Sequence, residues 1–218
     1  MPKATASDGT RLYYEETGKG VPLVFVHEFS GDHRSWEPQM RYFARRYRCV
    51  AINARGYPPS DVPKARTRYS QKIVTDDIAA VLRHLKLRKA HVVGCSMGGY
   101  SALNFGIRHA ARALSITAVG AGAGSHPALR RSFLRSTAAN AQRFDALGMP
   151  AAARAAGVNP GRVAYLNKDP RGYAEFFRWY EEHSAMGLAT TQRGLQAKRP
   201  TIYQLAPALR RLKLPLFV

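Results

Sequence analysis

Short apolar runs alternate with segments of helical periodicity in the first half of the chain. The runs predict strands at residues 4–7, 12–16, 21–26, 49–52, 91–93 and 114–119. Apolar residues at helical spacing fill most of the gaps, above all over residues 70–85, where Ser70 stands at the N-cap position. Strands that alternate with helices predict an α/β fold with a mostly parallel, doubly wound sheet.

The pattern changes over residues 126–210. No strand run occurs there, and several predicted helices are broken by Gly or Pro near residues 148–150, 159–161, 169–170 and 199–200. A strand pattern resumes at residues 212–218. We therefore predict a core at residues 1–125, a helical lid over the carboxyl end of the sheet at 126–210, and a returning core strand at 211–218.

An aromatic cluster lies inside the predicted lid, at Phe176, Phe177, Trp179 and Tyr180. Its helical spacing fits side chains that pack the lid against the core. The same residues also fit the apolar wall of a substrate pocket. Both interpretations stay open at this point.

A Gly-x-Ser-x-Gly pattern follows the strand predicted at residues 91–93, with Ser96 at its centre. Between a strand and a helix this pattern forms a nucleophile elbow, which holds the serine on a strained turn. Gly94 and Gly98 are needed because the strand and the helix approach closely. The Met97 N–H points toward the same place and can stabilise an oxyanion. The alternative is a tight strand–helix turn without chemistry.

The charge is strongly positive. Lys and Arg number 34 against 14 Asp and Glu, a net charge of +20, which raises a polyanion partner as one hypothesis. The excess is nine in residues 1–110 and eleven in residues 111–218. This even spread favours an arginine-rich solvated surface, so we expect no nucleic-acid partner. The alternative, a nucleic-acid or polyanion binder, predicts binding that weakens steeply with salt.

Few features point to a special compartment or a bound group. Cys49 and Cys95 lie in apolar strand-like runs, which fits two reduced thiols. Residues 1–5 contain no signal-peptide core, and no apolar run approaches the length of a membrane span. Metal-ligand spacing is absent among His, Cys, Asp and Glu. We therefore expect a cytoplasmic protein with no metal, no cofactor and no membrane partner.

The chain resembles the α/β-hydrolase superfamily, in its lid-bearing branch of small esterases and lactonases. The matching stretches are the Asp8-Gly9 opening, the strand into His27, the Arg55-Gly56 turn, the elbow at residues 94–99 and the end at residues 214–218. The resemblance implies that Ser96 attacks a small, apolar ester, lactone or related acyl substrate. It also implies that the N–H groups of Phe29 and Met97 form the oxyanion hole. Ser96 argues against the dehalogenase and epoxide hydrolase types, which have Asp there.

The loop after the third strand departs from the family pattern. Glu28 stands where the family usually has Gly, and its charge would oppose an oxyanion unless the side chain points away. His27 resembles the structural histidine that orders this loop. Asn53 replaces an Asp that many relatives carry, at a position that is structural or faces the substrate.

The catalytic acid and base have no match in the sequence. In the family the acid follows the strand after the lid, and the histidine follows the next strand. The post-lid strand here is residues 214–218, so both partners are expected beyond Val218. Residues 120–124, an alternative place for the acid, contain no carboxylate. Apart from the structural His27 and from His183 in the predicted lid, the pattern places only His126 near the site.

The resemblance therefore predicts a truncated scaffold. Residues 214–218 would form an exposed apolar edge strand that favours self-association, and a missing helix would leave part of the core uncovered. We expect a serine hydrolase that is impaired by the missing acid and histidine. The alternative is a non-catalytic α/β-hydrolase-like binding protein or an inactive fragment.

Overall fold

The strands of the protein form one sheet. We describe residues 2–218 in a computed structural model, and these residues form a seven-stranded sheet in the order β1-β2-β4-β3-β5-β6-β7. The strands are β1 (Lys3–Thr5), β2 (Arg11–Thr17), β3 (Val21–Val26), β4 (Tyr47–Ile52), β5 (Ala90–Cys95), β6 (Ala113–Val119) and β7 (Leu216–Phe217). Pairing is antiparallel between β1 and β2 and between β2 and β4, and parallel from β4 through β7. The mostly parallel sheet confirms the predicted fold class.

Helices flank both faces of this sheet. Their bounds are α1 (Glu37–Phe43), α2 (Gln71–His84), α3 (Met97–Arg108), α4 (Pro127–Leu147), α5 (Ala151–Ala155), α6 (Val163–Lys168), α7 (Pro170–Glu181), α8 (Ala185–Thr191) and α9 (Ile202–Arg210). Val24 and Val92 face α2 and α3 across the larger apolar cluster. Phe25 and Cys49 face α1 across a smaller one. Because successive strand residues point to opposite faces, the continuous apolar run of β3 serves both cores.

Several sequence predictions hold at the level of single elements. The strand predicted at residues 21–26 is β3. The Ser70 hydroxyl caps α2 by accepting a hydrogen bond from the Ile73 N–H at 3.2 Å. The remaining strands of the first half begin or end within a few residues of the prediction.

The strand predicted at residues 212–218 is wrong in length. Only Leu216 and Phe217 form a strand, paired parallel with β6. Helical turns from α9 continue to Leu212, whose N–H donates to the Leu209 carbonyl. Pro215 has no N–H to give to a ladder, although its carbonyl accepts from Ile116. Local helix continuation and proline therefore shorten the apolar run to a brief strand.

Helices α4 to α9 lie between β6 and β7 in the chain, and several of them pack near the elbow. Phe144 of α4 and Leu188 of α8 share a buried apolar cluster with Tyr57 and Met97. This cluster holds the helical segment against the carboxyl end of the sheet. The division into a core and a lid stays a prediction. Among the helices of residues 2–218, none combines the length and apolar character that a bilayer crossing requires.

An open groove of about 940 Å³ follows the sheet face that carries α1. Phe25, Val93 and Thr117 line it from the sheet, and Phe176 and Trp179 line it from α7. Next to the groove, β7 has a neighbour on one side only within the described residues. Its Phe217 side chain is 61% exposed.

Candidate active site

Ser96 occupies the sharp turn between β5 and α3. Its φ of 49° and ψ of −108° place a non-glycine residue in a sparsely populated region of backbone space. The Ser96 N–H donates to the Val119 carbonyl at 2.8 Å, which ties the turn to β6. Ser96 is half-buried, and within residues 2–218 its hydroxyl neither caps α3 nor bonds to another side chain. The serine hydroxyl is therefore held at the end of the sheet without a competing partner.

The glycines on either side of Ser96 are sterically required. A Cβ on Gly94 would overlap the Gly98 carbonyl. A Cβ on Gly98 would overlap the Val26 carbonyl and would lie 2.7 Å from the His27 carbonyl oxygen. These contacts of Gly98 show that the start of α3 touches the end of β3 and the residue that follows it. The elbow and the loop after β3 therefore share one edge of the sheet.

The predicted oxyanion donors, Phe29 and Met97, lie in these two adjoining segments. Met97 is the first residue of α3, so its N–H has no acceptor inside the helix. The Tyr57 hydroxyl donates to the Phe29 carbonyl at 2.8 Å and lies 3.9 Å from the Met97 sulfur. Tyr57 thus contacts both residues at once. Their joint role as an oxyanion hole stays a prediction.

His27 orders the loop that carries Phe29. The Ala54 N–H donates to His27 Nε2 at 3.1 Å, so the ring proton is on Nδ1, which donates to the Glu28 carbonyl at 2.7 Å. Burial lowers the pKa of His27, although the carbonyl bond acts in the opposite direction. Both ring nitrogens hold backbone, as expected for the structural histidine, and neither is free to act as a base.

Glu28 points toward cationic and hydroxyl groups. Its Oε1 lies 3.7 Å from Nη2 of Arg162 and 3.4 Å from the Ser35 hydroxyl. The carboxylate also borders the groove beside Cys95. Arg162, from the turn before α6, offsets the charge that replaces the family's glycine.

Asn53 pins the long turn after β4. Its Oδ1 accepts from the His33 N–H at 2.7 Å, and its Nδ2 donates to the Pro58 carbonyl at 2.9 Å. Two residues later, the buried Arg55 forms a bidentate pair with Asp77 of α2. The two contacts of Asn53 fit a structural role, which is one of the two roles predicted for this position.

Within residues 2–218, no histidine or carboxylate hydrogen-bonds the Ser96 hydroxyl. His126, which the pattern places near the site, is exposed at the N-terminus of α4 and caps nothing. His183, between α7 and α8, is buried instead. Its Nε2 lies 3.2 Å from the Gly31 carbonyl oxygen, and its Nδ1 lies 4.0 Å from the Asp32 carboxylate.

The sequence does not predict that His183 and Tyr57 pack around the loop after β3. Their rings lie edge to face with centroids 5.4 Å apart. Nothing in the local sequence marks either residue, because their contacts with the loop join segments that are 28 and 152 residues apart. A metal site is not indicated either: in the described part of the chain, no three His, Cys, Asp or Glu side chains gather to hold an ion.

A serine at positive φ, between a parallel strand and a helix at the carboxyl edge of the sheet, is the backbone arrangement of α/β-fold proteins that carry a nucleophile elbow. The sequence profile of the alpha/beta hydrolase fold family matches residues 21–155. The chain therefore belongs to the α/β-hydrolase family.

Solved structures with the same fold include an enol-lactonase from Burkholderia xenovorans LB400, with a TM-score of 0.82 at 23% identity. That comparison covers 99% of this chain and 79% of the lactonase. A thermophilic esterase from Thermogutta terrifontis gives a TM-score of 0.84 at 24% identity, covering 99% of this chain and 77% of the esterase. At these identities the likeness concerns the fold.

Sequence relatives match over a shorter stretch. The 3-oxoadipate enol-lactonase 1 of Acinetobacter baylyi is 39% identical over 95 residues, which are 44% of this chain and 35% of that protein. Epoxide hydrolase 1 of Caenorhabditis elegans is 43% identical over 97 residues, which are 44% of this chain and 24% of that protein. The matched part thus spans about a third or less of each relative.

Proposed function

We propose that this protein is a serine hydrolase that acts on a small ester, lactone or related acyl substrate. One observation carries the proposal: Ser96 stands at positive φ on the β5–α3 turn with its hydroxyl unpartnered among the described residues. Strain of this kind, about 1–3 kcal/mol, persists where the surroundings enforce it and is concentrated at functional sites. Here the enforcing contacts are the close approaches at Gly94 and Gly98.

The proposed chemistry follows the order of acyl transfer. Ser96 Oγ attacks the acyl carbonyl carbon and gives its proton to a base, and the carbonyl oxygen gains negative charge. The N–H groups of Phe29 and Met97 would donate hydrogen bonds to that oxygen. The alcohol leaves with a proton, and water then releases the acid and regenerates the serine. No step requires a metal or an organic cofactor.

The relatives support acyl chemistry without fixing the substrate. Enol-lactonases and esterases occur among the solved structures and relatives, next to epoxide hydrolases and haloperoxidases. Ser96 favours the ester and lactone side of this range, because the epoxide hydrolase type has Asp at the same position. Apolar residues near the elbow fit an apolar acyl portion.

The proposal includes impaired turnover by the 218-residue chain. A serine without a base loses most of its reactivity, and none of the described histidines contacts Ser96. We also propose that residues 126–210 act as a lid over the site. The free thiols of Cys49 and Cys95 support a reducing cytoplasmic location.

Imidazole added in solution tests whether a missing base limits Ser96. We expect 4-nitrophenyl butyrate hydrolysis by the wild-type chain to be slow and to rise with imidazole, at least tenfold above the protein-free rate in the same buffer. The Ser96→Ala variant is the matched control and should follow the protein-free rate at every imidazole concentration. Equal rates for the two proteins under all conditions would contradict the proposal.

The second candidate function is a non-catalytic binding protein on the same scaffold. The absence of a histidine or carboxylate at Ser96, within residues 2–218, favours it. It predicts that small esters bind the wild-type chain and Ser96→Ala equally, and that imidazole restores no turnover. The rescue experiment therefore separates the two functions.

A further inference from the structure

A second cavity, of about 240 Å³, lies between the loop after β3 and the helical segment. Phe29 and Ser30 line it from the loop, and α4, α7 and the turn before α6 close it from the other side. Six aromatic side chains contribute to its walls: Phe29, Phe144, Tyr173, Phe176, Phe177 and Tyr180. Phe29 connects this cavity to the proposed oxyanion hole.

The cavity is also continuous with the packing around the elbow. Phe144 is buried in the cluster that contains Met97, and Phe29 and Tyr180 pack against that cluster. The rings of Phe29 and Phe144 have centroids 6.2 Å apart. Phe29 and Phe144 therefore belong both to the cavity lining and to the packing around the residue that follows Ser96.

The charged side chains that line the cavity are positive. Its lining contains two arginines, Arg143 and Arg162, and no Asp or Glu among the described residues. Arg162 is partly compensated, because its guanidinium lies 3.7 Å from the Glu28 carboxylate and 4.4 Å from the centroid of the Phe176 ring. It also donates to the Ser30 hydroxyl at 3.2 Å.

Arg143 has no such compensation. Its only side-chain hydrogen bond in the described structure goes to the amide oxygen of Asn140, at 3.1 Å. The residue is half-buried in α4 beside Phe144. A guanidinium against aromatic walls, without a carboxylate, is well suited to bind an anionic group by paired, charge-assisted hydrogen bonds.

We infer that Arg143, assisted by Arg162, binds a carboxylate carried by the substrate. This inference rests on the proposed function and narrows it to esters or lactones that bear a negative charge on a short apolar chain. The cavity is smaller than the usual range for drug-sized ligands, so the charged end must be small. Partial burial strengthens the ion pair relative to one on the open surface.

Binding is measured first, on a protein that cannot turn over. Ser96→Ala is titrated by ligand-observed NMR with monomethyl glutarate and, separately, with neutral dimethyl glutarate. A charge-assisted contact predicts about tenfold tighter binding of the acid. Arg143→Gln, in the same background, should remove this preference, and Arg143→Lys should restore part of it.

Arg135→Gln is the matched control. Like Arg143→Gln, it replaces an arginine of α4 with glutamine and removes one positive charge. Arg135, however, is exposed and lies outside the cavity. Arg135→Gln should leave the preference for the acid intact. Circular dichroism of each variant checks that the fold is retained.

The outcomes separate the inference from the proposed function. If the acid binds no better than the diester, or if Arg143→Gln and Arg135→Gln behave alike, the inference is overturned even when Ser96 proves reactive. If the acid preference depends on Arg143 but imidazole restores no hydrolysis, the carboxylate site stands and the serine chemistry fails. With wild-type protein and imidazole, an active enzyme should hydrolyse 4-nitrophenyl hemiglutarate faster than 4-nitrophenyl butyrate.

Discussion

Ser96 stands on a turn that leaves almost no space between β5, α3 and the end of β3. The turn needs glycine on both sides because strand and helix backbones nearly touch there, and that requirement is visible in the spacing of Gly94 and Gly98. Contacts between distant segments are not visible in this way. Arg143 and Phe29 border one cavity although more than a hundred residues separate them. Sequence reasoning could therefore predict the elbow and could not predict the cavity beside it.

Replacing Gly98 with alanine should destabilise the protein. The new methyl group would overlap the backbone at the end of β3, which cannot yield like a side chain. We expect a loss of at least about 2 kcal/mol in the free energy of unfolding, measured by urea denaturation. Gly161→Ala is the control, because its Cβ would meet only the end of the Asn159 side chain. Equal stabilities of the two variants would show that the close approach is not rigid.

At the scale of elements, the helices and strands that the sequence predicts correctly are those with a strong or repeated local signal. Residues 70–85 combine helical spacing with a serine cap, and β3 is a continuous apolar run. The last strand is shorter than predicted because helical turns continue from α9 to Leu212 and because Pro215 has no N–H to give to a ladder. The contacts between the helical segment and the loop after β3 carry no signal in the local sequence. One of them is made by His183, which joins the α7–α8 turn to Gly31 and Asp32.

His183 makes this link sensitive to pH. Burial lowers the pKa of His183 to about 4, although the Asp32 carboxylate acts in the opposite direction. An unfolded chain binds the proton near pH 6.5, so the folded state loses stability as the pH falls from about 6.5 to 4. The slope for one such group is about 1.4 kcal/mol per pH unit.

Urea denaturation at several pH values measures this effect. The wild-type free energy of unfolding should fall more steeply between pH 6.5 and 4.5 than that of His183→Phe, which has no proton to bind. His126→Gln changes an exposed histidine and should keep the wild-type slope. Parallel curves for wild type and His183→Phe would mean that His183 does not couple the helical segment to pH.

At the scale of the whole molecule, the sheet ends at an exposed position. Within residues 2–218, β7 has one paired side, and an open groove runs along the neighbouring sheet face. The alternation of strands and helices was enough to predict the sheet. Which faces stay open depends on packing among distant elements, and composition alone does not show it.

We propose that the β7 edge lets the chain self-associate. The net charge of +20 opposes contact between copies, and salt screens this repulsion. Sedimentation velocity should show larger species as protein and salt concentrations rise. Phe217→Lys should reduce them, whereas Tyr42→Lys, at a similarly exposed aromatic residue on α1, should not. A monomer under all conditions would contradict the proposal.

The most direct test of Ser96 as a nucleophile is covalent labelling with a fluorophosphonate, followed by intact mass and peptide mapping. We expect one adduct on Ser96, formed slowly by the 218-residue chain, accelerated by imidazole and absent in Ser96→Ala. No adduct after prolonged exposure with imidazole, or an equal adduct in Ser96→Ala, would contradict this prediction.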